Sequence, residues 1–424
     1  MNEQYSCGAI KSRGGYLERR EKRQVRQSAL NEVAFRRYFP ASWFSSLGSW
    51  MLRFLLGWSA WDLTLSASWV GITAALMLAP ALVLSPWFGI LSDRINPRYG
   101  LVVSMVVHGL IALGGAVALW AGAFGTPILL SLALAMGVVT SGHSPMRLAL
   151  IPLLVERAAL PSAVGLSATT FNIARILGPA LGAALIAGFG PGLAFMLATV
   201  MFAIAAVILL KLHGIGFREP RPREPFMQQF IAGLRYVRRE PAIQLIFAFT
   251  VLNGVLGRTV VELLPAFAGG FLGGGSRELA TLTASAGLGS IVGGLILTRQ
   301  QADTERLLNL VAQAIAGAAL LILGLFLGSD LYRLGALIFA LSLVTTIAGT
   351  GCQTIIQLSL LESYRGRVLS LWTLFAMGAP ALGSACLGIL TDIFGYTVVF
   401  TITAGAGFLM LLLLYSRRSS LSGS

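Results

Sequence analysis

Charged side chains are scarce in this sequence: Asp, Glu, Lys and Arg make up 11% of its 424 residues, where a soluble globular chain carries about 25%. So little charge excludes a cytosolic enzyme and a disordered protein. Cysteine is rarer still. Cys7, Cys352 and Cys386 are odd in number and widely spaced, which leaves no disulfide framework and no metal site. No G-x-x-x-x-G-K-S/T loop occurs, so ATP is not the energy source. No metal-ligating or nucleophilic constellation stands out, and no cofactor is expected. The net charge of +14 does not imply nucleic acid, because most of it lies between apolar runs or at the ends.

What is present is apolar surface. Hydrophobic residues reach 56%, and the mean hydropathy is +0.79. A helix rises 1.5 Å per residue, so about 20 apolar residues cross a hydrocarbon core of about 30 Å. Charge-free runs at 63–92, 99–146, 176–210, 307–329, 334–361, 368–391 and 393–416 divide into twelve such spans. They are expected near 41–61, 69–91, 100–121, 127–151, 161–189, 191–212, 242–268, 279–298, 307–328, 331–357, 367–393 and 396–416. Lipid cannot satisfy open backbone groups, so the fold class is all-α, an integral membrane bundle.

The chain divides into a basic tail (1–40), a six-helix half (41–212), a polar linker (213–241), a second six-helix half (242–416) and a short tail (417–424). If residues 1–40 are cytoplasmic, 26 of the 31 Lys and Arg fall on that side, only Arg277 and Arg333 fall opposite, and Arg53, Arg175 and Arg258 lie within spans. That asymmetry puts both termini inside. The tail has Arg19-Arg-Glu-Lys-Arg23 without an apolar core, so it does not read as a signal peptide. The linker opens with Glu219-Pro-Arg-Pro-Arg-Glu-Pro225 and continues as an amphipathic helix: Phe226, Phe230, Leu234 and Val237 form one face, with Arg235, Arg238 and Arg239 opposite. Such a helix lies against membrane lipid. The segment Ile176-Leu-Gly-Pro-Ala-Leu-Gly182 recurs near Ala376-Met-Gly-Ala-Pro-Ala-Leu-Gly383, each in the fifth span of its half. Parallel repeats of this kind suit a transporter whose halves rock about a midplane site.

Between spans 2 and 3, Gly89-Ile-Leu-Ser-Asp-Arg-Ile-Asn-Pro-Arg98 resembles the loop signature of the major facilitator superfamily, G-x-L-a-D-R-x-x-R-R/K. Further stretches resemble its transmembrane secretion effector branch, which includes enterobactin exporters and macrolide efflux proteins. These are Ser46-Leu-Gly-Ser-Trp-Met51, Gly142-His-Ser-Pro145, Ala174-Arg-Ile-Leu-Gly-Pro179, Leu234-Arg-Tyr-Val-Arg-Arg239 and Arg365-Gly-Arg-Val368. The resemblance implies a monomeric transporter of the cell inner membrane that moves a small molecule, with Gly89, Asp93, Arg94 and Arg98 as a gating loop. Asp93 would meet the start of span 11 near Arg367. Span 5 is similar to the superfamily's antiporter motif through Gly165, Gly178, Pro179 and Gly182, which implies export against protons; Ala174 and Ala183 replace two of its glycines. The resemblance also implies that spans 1, 4, 7 and 10 line the cavity.

Charges inside spans are candidates for function. Arg53 is central in span 1 and Arg175 in span 5; Arg258 and Glu262 lie four apart on one face of span 7. Arg258 and Glu262 could instead neutralise each other, and Arg175 could bond carbonyls or span 1. Ser49 stands where much of the branch has Asp, which removes one protonation site. His143 is an alternative proton carrier, or a satisfied interior histidine. Gln353 and Gln357 could hydrogen-bond a polar ligand, or be ordinary helix-end polar groups. Three buried arginines against one deep carboxylate favour an anionic substrate, since Arg meets a carboxylate with two hydrogen bonds. An importer or facilitator of the same fold, and a non-transporting receptor, remain as alternatives to an exporter.

Overall fold

The computed structural model describes residues 28–212, 226–298, 304–328, 330–360 and 362–421. The basic run at 19–23 and the Pro-rich linker lie outside them, as do the side chains of Asp93, Phe226, Phe230, Arg365 and Arg367 and the surroundings of Gly89. Among the described residues every regular element is helical. The first half comprises α1 (Val33–Thr64), α2 (Ala67–Arg94), α3 (Pro97–Trp120), α4 (Thr126–Leu150), α5 (Leu160–Phe189) and α6 (Pro191–Leu210). The amphipathic α7 (Phe226–Arg239) follows, as its sequence predicts. The second half begins with α8, a helix that opens as Pro241–Asn253 and continues in short turns to Phe271. It is completed by α9 (Ser276–Thr298), α10 (Thr304–Gly324), α11 (Leu331–Ser359), α12 (Glu362–Phe394) and α13 (Tyr396–Leu421). Spans seven to twelve are therefore α8 to α13.

Eleven of these helices are long and apolar enough to cross a bilayer. The twelfth, α1, is long enough but less apolar, with Arg53 and several Ser, Trp and Gly residues in its middle; much of it is buried against α5 and α6. It starts at Val33 and passes through Pro40, so part of the expected tail is helix. The two halves are parallel six-helix repeats. Each fifth helix carries an internal proline, Pro179 in α5 and Pro380 in α12. Each of these helices ends at a glycine in the left-handed region, Gly190 (φ 84°) and Gly395 (φ 80°), where a Cβ would be strained.

The halves meet along two seams, α2 with α12 and α5 with α9. The first seam is tight at the end opposite the chain termini. There a Cβ on Gly71 would collide with the Ser384 carbonyl, and one on Gly388 would sit 2.5 Å from the Ala67 carbonyl oxygen. Without a hydrophobic driving force in lipid, such close backbone approach is what holds helices together. The same end carries a polar clasp. The Asp392 carboxylate, near the end of α12, accepts from the backbone N–H of Ala67 (2.8 Å) and Ser68 (3.0 Å) and from the hydroxyls of Ser66 and Ser68. A carboxylate suits this place, because the first N–H groups of α2 are unpaired and carry the positive end of its dipole.

Candidate functional site

A cavity of about 560 Å³ lies between the halves. Its walls come from α1, α2, α4, α5, α8, α9 and α12. The expectation for span 10 is corrected: among the described residues α11 contributes none of the lining. The reason is steric. A Cβ on Gly289 would collide with the Phe339 carbonyl, and one on Gly293 would meet Leu343, so α9 lies flat against α11 and covers it. Gln353 and Gln357, further along α11, are accordingly absent from the wall, and Gln357 is exposed.

All four charges flagged inside spans converge on this cavity. Arg53, Arg175, Arg258 and Glu262 line it together. Glu262 forms an ion pair and hydrogen bond with Arg53, which joins α8 to α1 and therefore one half to the other. Arg258, one turn before Glu262 on α8, stands 4.0 Å from the same carboxylate. The expected neutral pair within span 7 is thus the looser of two contacts. The exposures agree: the Glu262 side chain is 9% exposed and that of Arg53 24%, while Arg258 is 41% exposed.

Arg175 takes a different part. Its guanidinium donates to the Ser290 hydroxyl of α9 at 2.8 Å, and Ser290 in turn bonds Ser342 of α11 at 2.8 Å. The same guanidinium lies over the Trp50 ring of α1, 5.4 Å from its centroid, an arrangement that stabilises a cation within about 6 Å. Arg175 therefore ties α5 across the second seam while keeping its charge at the cavity wall. The wall also holds apolar and polarisable side chains, Met77, Met136, Met377, Phe54 and Phe171, the last packed edge-on to the same Trp50 ring. Thioether side chains of this kind adapt to ligands of irregular shape.

Backbone irregularity coincides with the charges. In α8 a π turn spans Gly254–Arg258 and a second spans Phe267–Phe271, with a break at Leu263 and Pro265 between them. Single π turns inside α-helices occur frequently at functional sites. Here Gly254 is pressed against Ala379 and Pro380 of α12 (2.7 Å from a built Cβ to the Ala379 side chain), and Gly257 against Thr345 of α11.

The remaining candidates divide. Gly178 and Gly182 bring α5 onto α1: a Cβ at either would lie 2.9 Å from Met51 or Phe54 atoms. Gly165, of the same motif, faces open space. Pro179 lines the cavity. His143 is not in the wall; its Nδ1 lies 3.3 Å from the Ser104 hydroxyl, and its ring packs edge-on to His108, the centroids 6.1 Å apart. Of the gating loop, Arg94 is exposed at the end of α2. Arg98 is buried and caps another helix, donating from Nε to the Leu209 carbonyl at 2.8 Å and from its terminal nitrogen to the Leu210 carbonyl at the end of α6. A cation there complements the negative end of the helix dipole, so Arg98 is a structural cap. The clasp at Asp392 and the Ser290–Ser342 relay were not foreseen. Serines are too common in spans to stand out without their partners, and Asp392 lies near a helix end, where a carboxylate is ordinary.

The profile of a family described as transmembrane secretion effector matches residues 26–422. A staphyloferrin A transporter of Staphylococcus aureus is 23% identical over 369 residues, 86% of this chain and 91% of that one. An enterobactin exporter, EntS, of Shigella boydii is 29% identical over 244 residues, 57% of each chain. Among solved structures, a bacterial homolog of the human lysosomal transporter Spinster, in an inward-facing and unoccupied conformation, superposes with a TM-score of 0.68 at 14% identity, covering 90% of this chain and 96% of that one. The nucleoside transporter NupG superposes with a TM-score of 0.66 at 12% identity, over 91% and 98%. At these identities the structural likeness speaks to the fold.

Proposed function

The chain belongs to the transmembrane secretion effector family of membrane transporters, and on that premise we propose that it exports a small amphipathic molecule by alternating access, in exchange for protons. The observation that carries this reading is the cavity itself. It lies between two six-helix repeats, bears charges contributed by both, and is lined elsewhere by Met, aromatic, aliphatic and hydroxyl side chains. A substrate seated there touches both halves at once, as a rocking mechanism requires. The relatives named for staphyloferrin A and enterobactin support a siderophore-like cargo, and the second supports the outward direction. In this reading the protein resides in the cell inner membrane as a monomer with both termini cytoplasmic. The sealed α2–α12 end then faces outward and the structure is inward-facing.

The test is uptake of labelled siderophores and macrolides into everted vesicles containing the purified chain, where export appears as accumulation. Accumulation that collapses with a protonophore is the expected result. Uphill accumulation that survives it, with no other ion gradient present, removes proton drive. One observation favours a second reading, an importer or facilitator of organic anions: the wall holds three arginines against one carboxylate. Flux in the opposite direction would select it. Specific binding without flux in either direction would leave a receptor.

A further inference from the structure

The contacts around Glu262 resemble a ligand already in place. One carboxylate, supplied by the protein, is held by Arg53 of α1 and neighboured at 4.0 Å by Arg258 of α8. Each arginine approaches this carboxylate through one terminal nitrogen, Arg53 on one oxygen and Arg258 on the other. Guanidinium groups are the donors with which proteins bind carboxylates from outside. Arg258 is the more open of the two, exposed to the cavity by 41%. Arg175 brings a third positive charge to the same wall, while its bond to Ser290 fixes where that charge sits.

We propose that Arg53 and Arg258 are the substrate's anion seat and that Glu262 is a built-in competitor for it, so that the cavity selects small organic molecules with two acidic groups on an apolar body. This rests on the reading of the cavity as the transport site and names its substrate class. The argument is one of charge and shape. Among the described residues the wall carries a formal excess of two positive charges even with Glu262 ionised. Uncompensated charge inside a membrane is costly, and a dianion matches that excess. The first acidic group displaces Glu262 from Arg53 and Arg258, and the second faces Arg175. The apolar body lies against Met77, Met136, Met377 and Phe171, which offer nothing to a second charge. A neutral ligand of the same shape gains only that apolar contact.

The direction of the proton linkage follows from the same contacts. The charged groups facing Glu262 from α1, α5 and α8 are all arginines, which stay protonated. A proton on Glu262 therefore frees Arg53 and favours the anion, and by reciprocity the anion favours that proton. At this residue proton and substrate bind together. A proton exchanged for substrate binds at a different group.

The experiment is calorimetric titration of the full chain in detergent with three probes built on one benzene ring: phthalate, benzoate and the neutral dimethyl phthalate. The wild type is expected to bind phthalate at least tenfold more tightly than either of the others. Glu262→Gln should tighten phthalate a further tenfold and leave the ester unchanged, whereas Arg258→Gln should remove the preference for phthalate. Phthalate binding that weakens or stays the same in Glu262→Gln overturns the proposal, as does a wild type without preference for the dianion. Ester binding reports that each variant is folded. If the glutamine variants lose it, Arg258→Lys decides, because it keeps the charge and loses the planar fork: a preference reduced severalfold is expected, and an unchanged one overturns the seat. Failure of the transport reading looks different. Binding in the stated order without flux in vesicles would sink export alone, and flux of a neutral cargo with the order reversed would sink the dianion alone.

Discussion

The first helices of the two halves occupy equivalent places and are built differently. α1 runs unbroken for 32 residues, Pro40 included, and offers a single charge to the cavity, Arg53. α8 covers a similar length with two π turns and a break; Arg258 closes the first π turn and Glu262 follows one turn later. α1 is clamped on one side by α5, where Gly178 and Gly182 admit it closely. α8 is pressed by α11 and α12 at the point where its turns widen. The contrast falls within one ion pair. Arg53 stands on a regular helix, and its partner on a helix with widened turns, a feature frequent at functional sites.

The largest test of that contrast is to remove the irregularity. Deleting Val255 from the Gly254–Arg258 turn should replace the widened turn by regular helix while the residues after it keep their face. Transport in everted vesicles should fall at least a hundredfold while the chain still inserts and purifies. Retained transport would mean the π turn is incidental. Next in size is the clamp on α1. Gly178→Leu places a side chain where a Cβ already meets Met51 and Trp50, and overpacking of this kind costs about 1–3 kcal/mol. Gly165→Leu, in open space, should change thermal stability by less than about 0.5 kcal/mol, as for a surface site. Equal losses at the two positions would show that the motif's glycines do not act through the α1–α5 contact. The smallest effect concerns the two arginines. A double-mutant cycle with Arg53→Gln and Glu262→Gln should give a coupling of about 1–2 kcal/mol, within the range for residues in direct contact. The cycle with Arg258→Gln and Glu262→Gln should give only about 0.3–0.5 kcal/mol, typical of pairs four apart on a helix. A reversed order would make the pair within α8 the primary one and leave Arg53 as a packing residue.

Much of this protein was legible in its residues, and the reasons are physical. Hydrocarbon tolerates few charges and no open backbone, so charge-free runs of sufficient length had to become helices, and nearly every span was found within a few residues of its expected place. The amphipathic α7 was equally plain, because its apolar spacing is a local property. The same cost of charge in lipid singled out Arg53, Arg175, Arg258 and Glu262, since nothing but a partner or a cavity keeps such residues there. Their partners were another matter. Arg53 and Glu262 are 209 residues apart, and hydropathy carries no information about which face of one helix meets which face of another. Spacing along α8 suggested Arg258 as the partner of Glu262, because residues four apart always share a face, whereas the tertiary arrangement brought α1 closer. Arg98 was read as part of a gate because its neighbours match a signature, yet the end of α6 lay within its reach. The π turns left no trace in the periodicity, since one extra residue in a turn is stabilised by Ala379, Pro380 and Thr345, which pack on it from two other helices. Sequence alone determined that this chain is a twelve-helix membrane bundle with charge held inside it. Only the packing of the two halves decided which charges face one another, because that depends on close approaches between backbones far apart in the chain.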